Sequence, residues 1–242
     1  MIKYKIILGF ALILLAVLLS CRMKISGNKN KTINVDQTVP DSAQGFGYKM
    51  MWLAVKTDDQ HKLADFLKLK NIEKCNWKVG INTAYKFPDS SIFITPYIDG
   101  WTLACSVNMF IIKSQNEDLH EVKNLLKILS RVFGEAQYFF SFRTADCYIW
   151  MKAVNGKIAR VYSICQGENI SIEGEPTNFE KNYNFINTFS PEAKDSTYYE
   201  RKDIFWPDEE FVMKVAENWS VDPSKLERRK DLFGKFGLIG QK

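Results

Sequence analysis

Cysteine and histidine are the residues of this chain whose side chains most readily act as nucleophiles, proton carriers or metal ligands. Five cysteines and two histidines occur among its 242 residues. A zinc site built on His61 and His120 needs carboxylates from elsewhere in the chain, and no HExxH or similar spacing is present. Each histidine shares a predicted helical face with charged side chains, so we expect both to be solvated. The sequence therefore predicts no metal-ligating residue.

Four cysteines follow residue 21, namely Cys75, Cys105, Cys147 and Cys165. Because no CxxC pair occurs, neither a zinc ribbon nor a thioredoxin-type redox site is predicted. An even number of cysteines permits two disulfides in an oxidising compartment. We nevertheless expect the four to be buried free thiols that pack as small hydrophobic side chains.

One disulfide pairing depends on the register of a single hairpin. Asn155-Gly156 is a strong signal for a two-residue turn. Opposite residues then have numbers that sum to 311, so Cys147 lies opposite Ile164 and faces away from Cys165. A bulged three-residue turn changes this parity and puts both cysteines on one face of the sheet. The sequence leaves both registers open.

Two signatures of nucleophilic and phosphate chemistry are missing from the sequence: it has no GxSxG elbow and no P-loop. The acidic run Asp208-Glu209-Glu210 opens a predicted helix, where carboxylates stabilise the positive end of the helix dipole. Consecutive helical residues point about 100° apart, so these three do not converge on one ion. We predict no catalytic and no cofactor-binding residue. The alternative is an enzyme with an unrecognised site that uses His120 or Cys147.

Hydrophobic patterning predicts the elements that must position these residues. Predicted strands cover residues 48–55, 92–95, 101–107, 136–142, 147–153, 157–165 and 169–173. A first helix is predicted from the capping-box spacing of Thr57 and Gln60 to about Leu69. Further helices are predicted over residues 117–133 and 207–218, with a short one after Pro223. The stretches 70–90 and 174–204 are weakly patterned, and we assign them little structure.

The order of these elements is β-α-β-β-α-β, followed by a hairpin and then helices. That order predicts an α+β fold with one mostly antiparallel sheet and helices packed on one face, in two layers. The opening order favours a ferredoxin-like core with an added hairpin.

Aromatic residues are abundant, with 17 Phe, 10 Tyr and 6 Trp. On an exposed sheet face such rings could bind sugar or peptide. Strand alternation favours the other interpretation, in which they fill the core. Phe139 and Phe140 are adjacent and point to opposite faces of their strand. The rings that crowd the predicted strands are Trp101, Tyr138, Phe139, Phe140, Phe142, Tyr148 and Trp150.

The amino terminus carries the most specific motif. Lys3 and Lys5 precede an apolar stretch at residues 6–19, which is typical of a secretory signal peptide and too short for a bilayer span. Leu18-Leu19-Ser20-Cys21 resembles the bacterial lipobox. This resemblance implies that the Cys21 thiol carries diacylglycerol, that residues 1–20 are removed, and that the new amino group is acylated.

The chain beyond Cys21 divides into two parts. Residues 21–35 are polar and basic without apolar periodicity, so we predict a flexible tether there. Residues 36–242 form the predicted single α+β domain. Arg22, rather than an aspartate, follows the lipobox cysteine, so the inner-membrane retention signal that some lipoproteins carry is absent. We expect a bacterial envelope membrane with the domain facing the periplasm.

The net charge of +5 has a definite location in the sequence. Six of the 33 basic residues and none of the 28 acidic residues lie in residues 1–35, which leaves the domain at −1. The basic character therefore belongs to export and to anionic lipid headgroups. It does not indicate nucleic acid as a partner.

Four short segments of the domain are similar to a group of uncharacterised bacterial proteins: residues 205–210, which begin Phe205-Trp206-Pro207, residues 212–213, residues 219–223 and residues 99–103. This similarity implies no activity and no site residue. The sequence thus predicts a lipid-anchored envelope protein whose domain binds a protein or small molecule and catalyses nothing. An immunity-type protein that guards the envelope against a toxin is one example of this class. The alternative is an envelope enzyme.

Overall fold

The computed structural model describes residues 36–86, 90–110 and 115–242. Side chains of the helix that begins at residue 115 are described from residue 119 onward. Cys21, the predicted signal peptide at residues 1–20 and the predicted tether at residues 21–35 lie outside the described residues. Asp36–Lys242 forms one compact unit. In the part of the chain that the structure describes, no helix has both the length and the apolar character needed to span a bilayer.

Nine strands of the described residues form a single sheet in the order β2-β9-β3-β4-β1-β5-β6-β7-β8. Every neighbouring pair of strands is antiparallel. The strands are β1 (Met50–Val55), β2 (Lys70–Cys75), β3 (Ser91–Ile94), β4 (Thr102–Ser106), β5 (Glu135–Phe142), β6 (Cys147–Val154), β7 (Lys157–Cys165), β8 (Glu168–Glu173) and β9 (Gly237–Gln241).

Four α-helices accompany the sheet within the described ranges. They are α1 (Gln60–Phe66), α2 (Trp77–Ala84), α3 (Gln115–Phe133) and α4 (Glu209–Trp219). Residues 180–232 contribute short 3₁₀ turns around α4. The helix α3 was predicted most clearly from sequence, because its apolar residues recur at steps of three and four.

Alternation along β1 explains why the sheet has a hydrophobic core on each side. Met51, Leu53 and Val55 pack with the buried side chains of α1 and α3. Trp52 and Ala54, which point the other way, pack with those of α2 and α4. Since both faces of β1 are covered, the whole strand is buried and has no polar side.

The predicted fold class is confirmed: the molecule is α+β with one large antiparallel sheet and helices packed against it. The strands β3-β4-β1-β5 are adjacent in that order, and α1 and α3 share one face, which is the arrangement of a ferredoxin-like core. The helices differ from prediction in one respect, because α2 and α4 cover the second face. The domain therefore has three layers rather than two.

The weakly patterned stretch after Leu69 contains two elements that the sequence analysis missed, β2 and α2. The strand β2 lies at an edge of the sheet, and four of its six residues are exposed, so it lacks an apolar alternation. Gly80 resembles a turn residue in the sequence but lies inside α2. The ring of Phe93 packs so closely against it that a Cβ has no room.

The start of α1 also differs from the prediction. Asp59, not Thr57, is the N-cap, and its side chain accepts a hydrogen bond from the Lys62 amide. Gln60 does not close a capping box; its side-chain amide donates to the Thr95 carbonyl 2.9 Å away. Thr57 accepts from the Asp59 amide instead. Gln60 thus ties α1 to the end of β3.

The aromatic side chains of the strands fill both cores, as predicted. Phe139 packs on the α2/α4 face and Phe140 on the α1/α3 face, so their opposite directions are both satisfied by burial. Trp52 stacks on Phe139 with ring centroids 5.1 Å apart. Phe142, at the end of β5, is the exposed member of the predicted set. Apart from Phe142, the predicted set of strand aromatics therefore serves to pack the two cores.

Candidate functional site

Both histidines lie on the surface, in agreement with the sequence analysis. The Nδ1 atom of His120 is 3.2 Å from the side-chain amide nitrogen of Asn124, one turn further along α3. Among the described residues, no group of three or more histidine, cysteine, aspartate or glutamate side chains is placed to hold a metal ion.

The expectation of free thiols is wrong for Cys147 and Cys165, which form a disulfide. A β-bulge in the β6–β7 hairpin is the reason. Val154 pairs with Lys157 across the turn, as a two-residue loop requires, but Lys152 pairs with Arg160, so one residue of β7 is extra. The shift places Cys147 directly opposite Cys165, with their Cα atoms 4.0 Å apart. The same bond excludes Cys147 as a free nucleophile.

The expectation is confirmed for Cys75 and Cys105, which are free and buried. Burial raises the pKa of the Cys75 thiol to about 12, and the carboxylates of Asp41 and Glu73 act in the same direction. Burial alone raises the pKa of Cys105. Because the thiolate is the reactive form of cysteine, both side chains are unreactive packing residues.

The acidic run at the start of α4 behaves as predicted. The Asp208 carboxylate caps the helix by accepting from the Phe211 amide. Glu209 accepts from Arg143, and Glu210 accepts from the Tyr48 hydroxyl 2.9 Å away. The three carboxylates thus have three separate partners and do not form a site.

A cavity of about 510 Å³ opens between α1 and α3, and we call it the α1–α3 groove. Its buried floor consists of Leu67, Ile92, Met109 and Phe110. Phe66 at the end of α1 and Leu125 and Ile128 on α3 form its walls. Pockets of about 300–1,000 Å³ with a mainly apolar lining are typical small-molecule sites.

Charged and polar side chains stand around the α1–α3 groove. Asp65 and Lys68 lie at the α1 end, and Glu121, Asn124 and Lys242 lie along the α3 side. The Lys242 ammonium donates to the Met109 carbonyl at 3.0 Å and sits 4.7 Å from the centre of the Phe110 ring. Its ion pair with Glu121 is long, at 3.8 Å. A cation is thus held beside an apolar floor.

The elements around the groove follow from the sequence, but the groove itself was not predicted. The helix α1 has only seven residues, so it leaves part of the sheet face uncovered beyond Phe66. Leu125 and Ile128 lie off the predicted apolar stripe of α3. Ile128 has 47% of its surface exposed. Because Leu125 and Ile128 are apolar but lie outside the core-facing stripe, they were the signal in the sequence that could have indicated a second contact surface on this helix.

Comparisons with protein-family models, curated proteins and solved structures find no match to this chain.

Proposed function

We propose that the protein is a lipid-anchored component of a bacterial cell envelope whose α1–α3 groove binds a small molecule, or a partner's side chain, that is apolar with one polar end. The observation that carries this proposal is the groove: buried apolar residues form its floor, and charged side chains stand at its rim. The apolar floor favours desolvation of a hydrophobic group. The rim residues Lys68 and Lys242 offer a partner to a polar or anionic end.

The disulfide supports the envelope location. Structural disulfides form and persist in oxidising compartments such as the periplasm and are rare in the cytosol. The Cys147–Cys165 bond therefore agrees with export by the signal peptide and anchoring through lipid on Cys21. The near-neutral domain gives no support to nucleic acid as a partner.

A non-catalytic role is supported by what surrounds the two residues considered for catalysis. Cys147 is bonded to Cys165 and has no thiol to ionise. His120 contacts an amide, Asn124, rather than a carboxylate or a nucleophile. An exposed imidazole with that partner does not form an acid–base or nucleophile pair.

The groove is tested by a charge introduced into its wall. Anilinonaphthalene sulfonate, an apolar ring system with one anionic end, serves as the fluorescent probe. Ile128→Glu places a carboxylate at the half-exposed wall, where a bound probe would cover the charge and the sulfonate would be repelled, so we expect probe affinity to fall by about tenfold or more. Fluorescence titration of the purified domain, residues 36–242, measures this affinity.

Val132→Glu is the matched control. Val132 lies one turn further along α3, has 45% of its surface exposed, and is not among the residues that line the groove. We expect this variant to bind the probe as the unmodified domain does. Equal loss in both variants, or equal binding by all three proteins, contradicts the groove as the binding site.

A further inference from the structure

Asp41 joins three segments close to the point where the described domain begins. Its carboxylate accepts from the amides of Trp77 and Lys78 at the start of α2, at 2.9 and 2.8 Å. Its backbone carbonyl accepts from the Gly234 amide at 2.9 Å. The turn around Gly234 and the first turn of α2 are therefore fixed beside the first residues of the domain.

The two loops that meet at Asp41 each present an apolar side chain to solvent. Phe233, next to Gly234, has 62% of its surface exposed, the largest value for a big hydrophobic residue among those that the structure describes. Val39, two residues before Asp41, is 53% exposed. We call this region the Val39–Phe233 surface.

We propose that the Val39–Phe233 surface rests on the lipid membrane that holds the anchor. The inference depends on the proposed lipidation of Cys21. Fourteen residues lie between Cys21 and Asp36, and the flexible chain predicted for them has an end-to-end distance of about 20 Å. The anchor thus keeps this surface near the bilayer at all times. A tethered contact of this kind needs little affinity of its own, because its effective concentration is high.

Two exposed lysines beside the surface fit a bilayer that contains anionic lipid. They are Lys78, whose backbone amide donates to Asp41, and Lys235, which follows Gly234 in the sequence. The carboxylates nearest to Val39 in sequence, those of Asp36 and Asp41, accept from backbone amides. The nearest carboxylate in sequence to Phe233 is Asp231, which accepts two hydrogen bonds from Arg229. Lysines beside an inserted aromatic ring can lie at the level of anionic headgroups.

Exposure of a phenylalanine alone does not mark a membrane contact, and Phe189 provides the comparison. It is 59% exposed, almost as much as Phe233. Its neighbour Thr188 is hydrogen-bonded to Asn169 of β8, at the edge of the sheet opposite to β2 and β9. Across so many strands, spaced about 4.8 Å apart, the two rings lie at opposite ends of the sheet. Of these two phenylalanines, Phe233 is the one next to a residue, Gly234, that contacts Asp41 near the start of the described domain.

The test uses the full lipidated chain in vesicles of phosphatidylethanolamine and phosphatidylglycerol. Phe233→Cys and Phe189→Cys are each labelled with the polarity-sensitive fluorophore NBD. Labelling is selective because Cys147 and Cys165 are bonded and Cys75 and Cys105 are buried. Flotation of the vesicles measures anchoring, and quenching of the fluorophore by aqueous iodide measures its contact with the bilayer.

We expect both variants to float and the label at position 233 to be quenched several-fold less than the label at position 189. Equal quenching at the two positions in floated vesicles overturns the inference and leaves the lipid anchor standing. Failure to float overturns the anchor and this inference with it. The same quenching is also measured in detergent, without vesicles. If the label at position 233 is then protected more strongly as the protein concentration rises, a second copy of the chain covers the surface, and the inference is overturned.

Discussion

At the scale of single residues, the pairing of Cys147 with Cys165 could not be predicted from the sequence, although the turn between their strands could. The Asn155-Gly156 turn was predicted, and Val154 and Lys157 pair across it as a two-residue loop requires. The outcome depended on a bulge two pairs further along the hairpin. An Ala or Arg in a strand gives no sequence signal for a bulge, because the extra residue is accommodated by the backbone rather than by a special side chain. The two registers therefore remained open until the strands were paired.

The disulfide is expected to stabilise the domain by constraining the unfolded chain. The two cysteines are 18 residues apart, and closing a loop of this size is worth about 3 kcal/mol. We predict that the double variant Cys147→Ser, Cys165→Ser loses about this much unfolding free energy in urea, followed by tryptophan fluorescence. A reducing agent should lower the stability of the unmodified domain similarly and leave the double variant unchanged.

The contrary result is also clear. If the unmodified domain keeps its stability under reducing conditions, and four thiols react after denaturation without reduction, the bond is absent. Cys75 and Cys105 account for two thiols in either case, since both are buried and free.

At the scale of elements, residues 174–204 show why a weakly patterned stretch can still be ordered. The sequence analysis assigned it little structure, and the molecule places short 3₁₀ turns there. Glu180 holds the stretch to the sheet. One of its carboxylate oxygens accepts from Trp150 and Arg160, both at 2.8 Å, and the other accepts from Thr177. Trp150 and Arg160 are 30 and 20 residues away from Glu180 in sequence, so the local pattern of this stretch does not reveal those two contacts.

The Arg160–Glu180 pair gives the prediction at this scale. Both side chains are buried, and removal of one partner leaves the other charge without compensation. We expect Glu180→Leu to lower the unfolding free energy by about 3–5 kcal/mol. Arg160→Met combined with Glu180→Leu should be less destabilised than the sum of the two single variants, because no lone charge stays buried.

Glu192→Gln is the control for this pair. Glu192 belongs to the same stretch and pairs with Arg201 at the surface. Exposed ion pairs contribute little to stability, so this variant should unfold as the unmodified domain does in the same urea experiment. Similar losses at positions 180 and 192, or additive single variants at 160 and 180, contradict the structural role assigned to Glu180.

Elements whose own residues carry a clear apolar pattern were predicted, and elements that depend on contacts distant in sequence were missed. The helices α3 and α4 carry long apolar stripes, and their positions were predicted to within two residues at each end. The strand β9 was missed because Gly237 and Gly240 interrupt its pattern. The ring of Phe93 leaves no room for a Cβ at Gly237, and Leu69 packs close to Gly240. Such requirements come from tertiary contacts and are not visible in the strand's own residues.

At the scale of the whole molecule, the order of elements predicted the central architecture. The arrangement β3-β4-β1-β5 with α1 and α3 on one face follows from that order. The second helical layer could not be predicted from that order. The apolar stripe of α4 indicates that this helix packs on the sheet, but it does not indicate on which face. The α1–α3 groove was missed for a related reason, since it depends on the spacing between two helices that are remote in sequence.

The proposed anchoring of the chain through lipid on Cys21 is tested by the variant Cys21→Ser. Intact-mass measurement and membrane fractionation are made on the unmodified chain and the variant expressed in a Gram-negative bacterium. We expect that the unmodified chain lacks residues 1–20, carries the added mass of acyl chains, and is found with the membranes. We expect that the variant is either soluble or unprocessed, and without lipid in both cases. The same lipid-bearing mass and the same membrane retention in the variant would contradict the proposed anchoring.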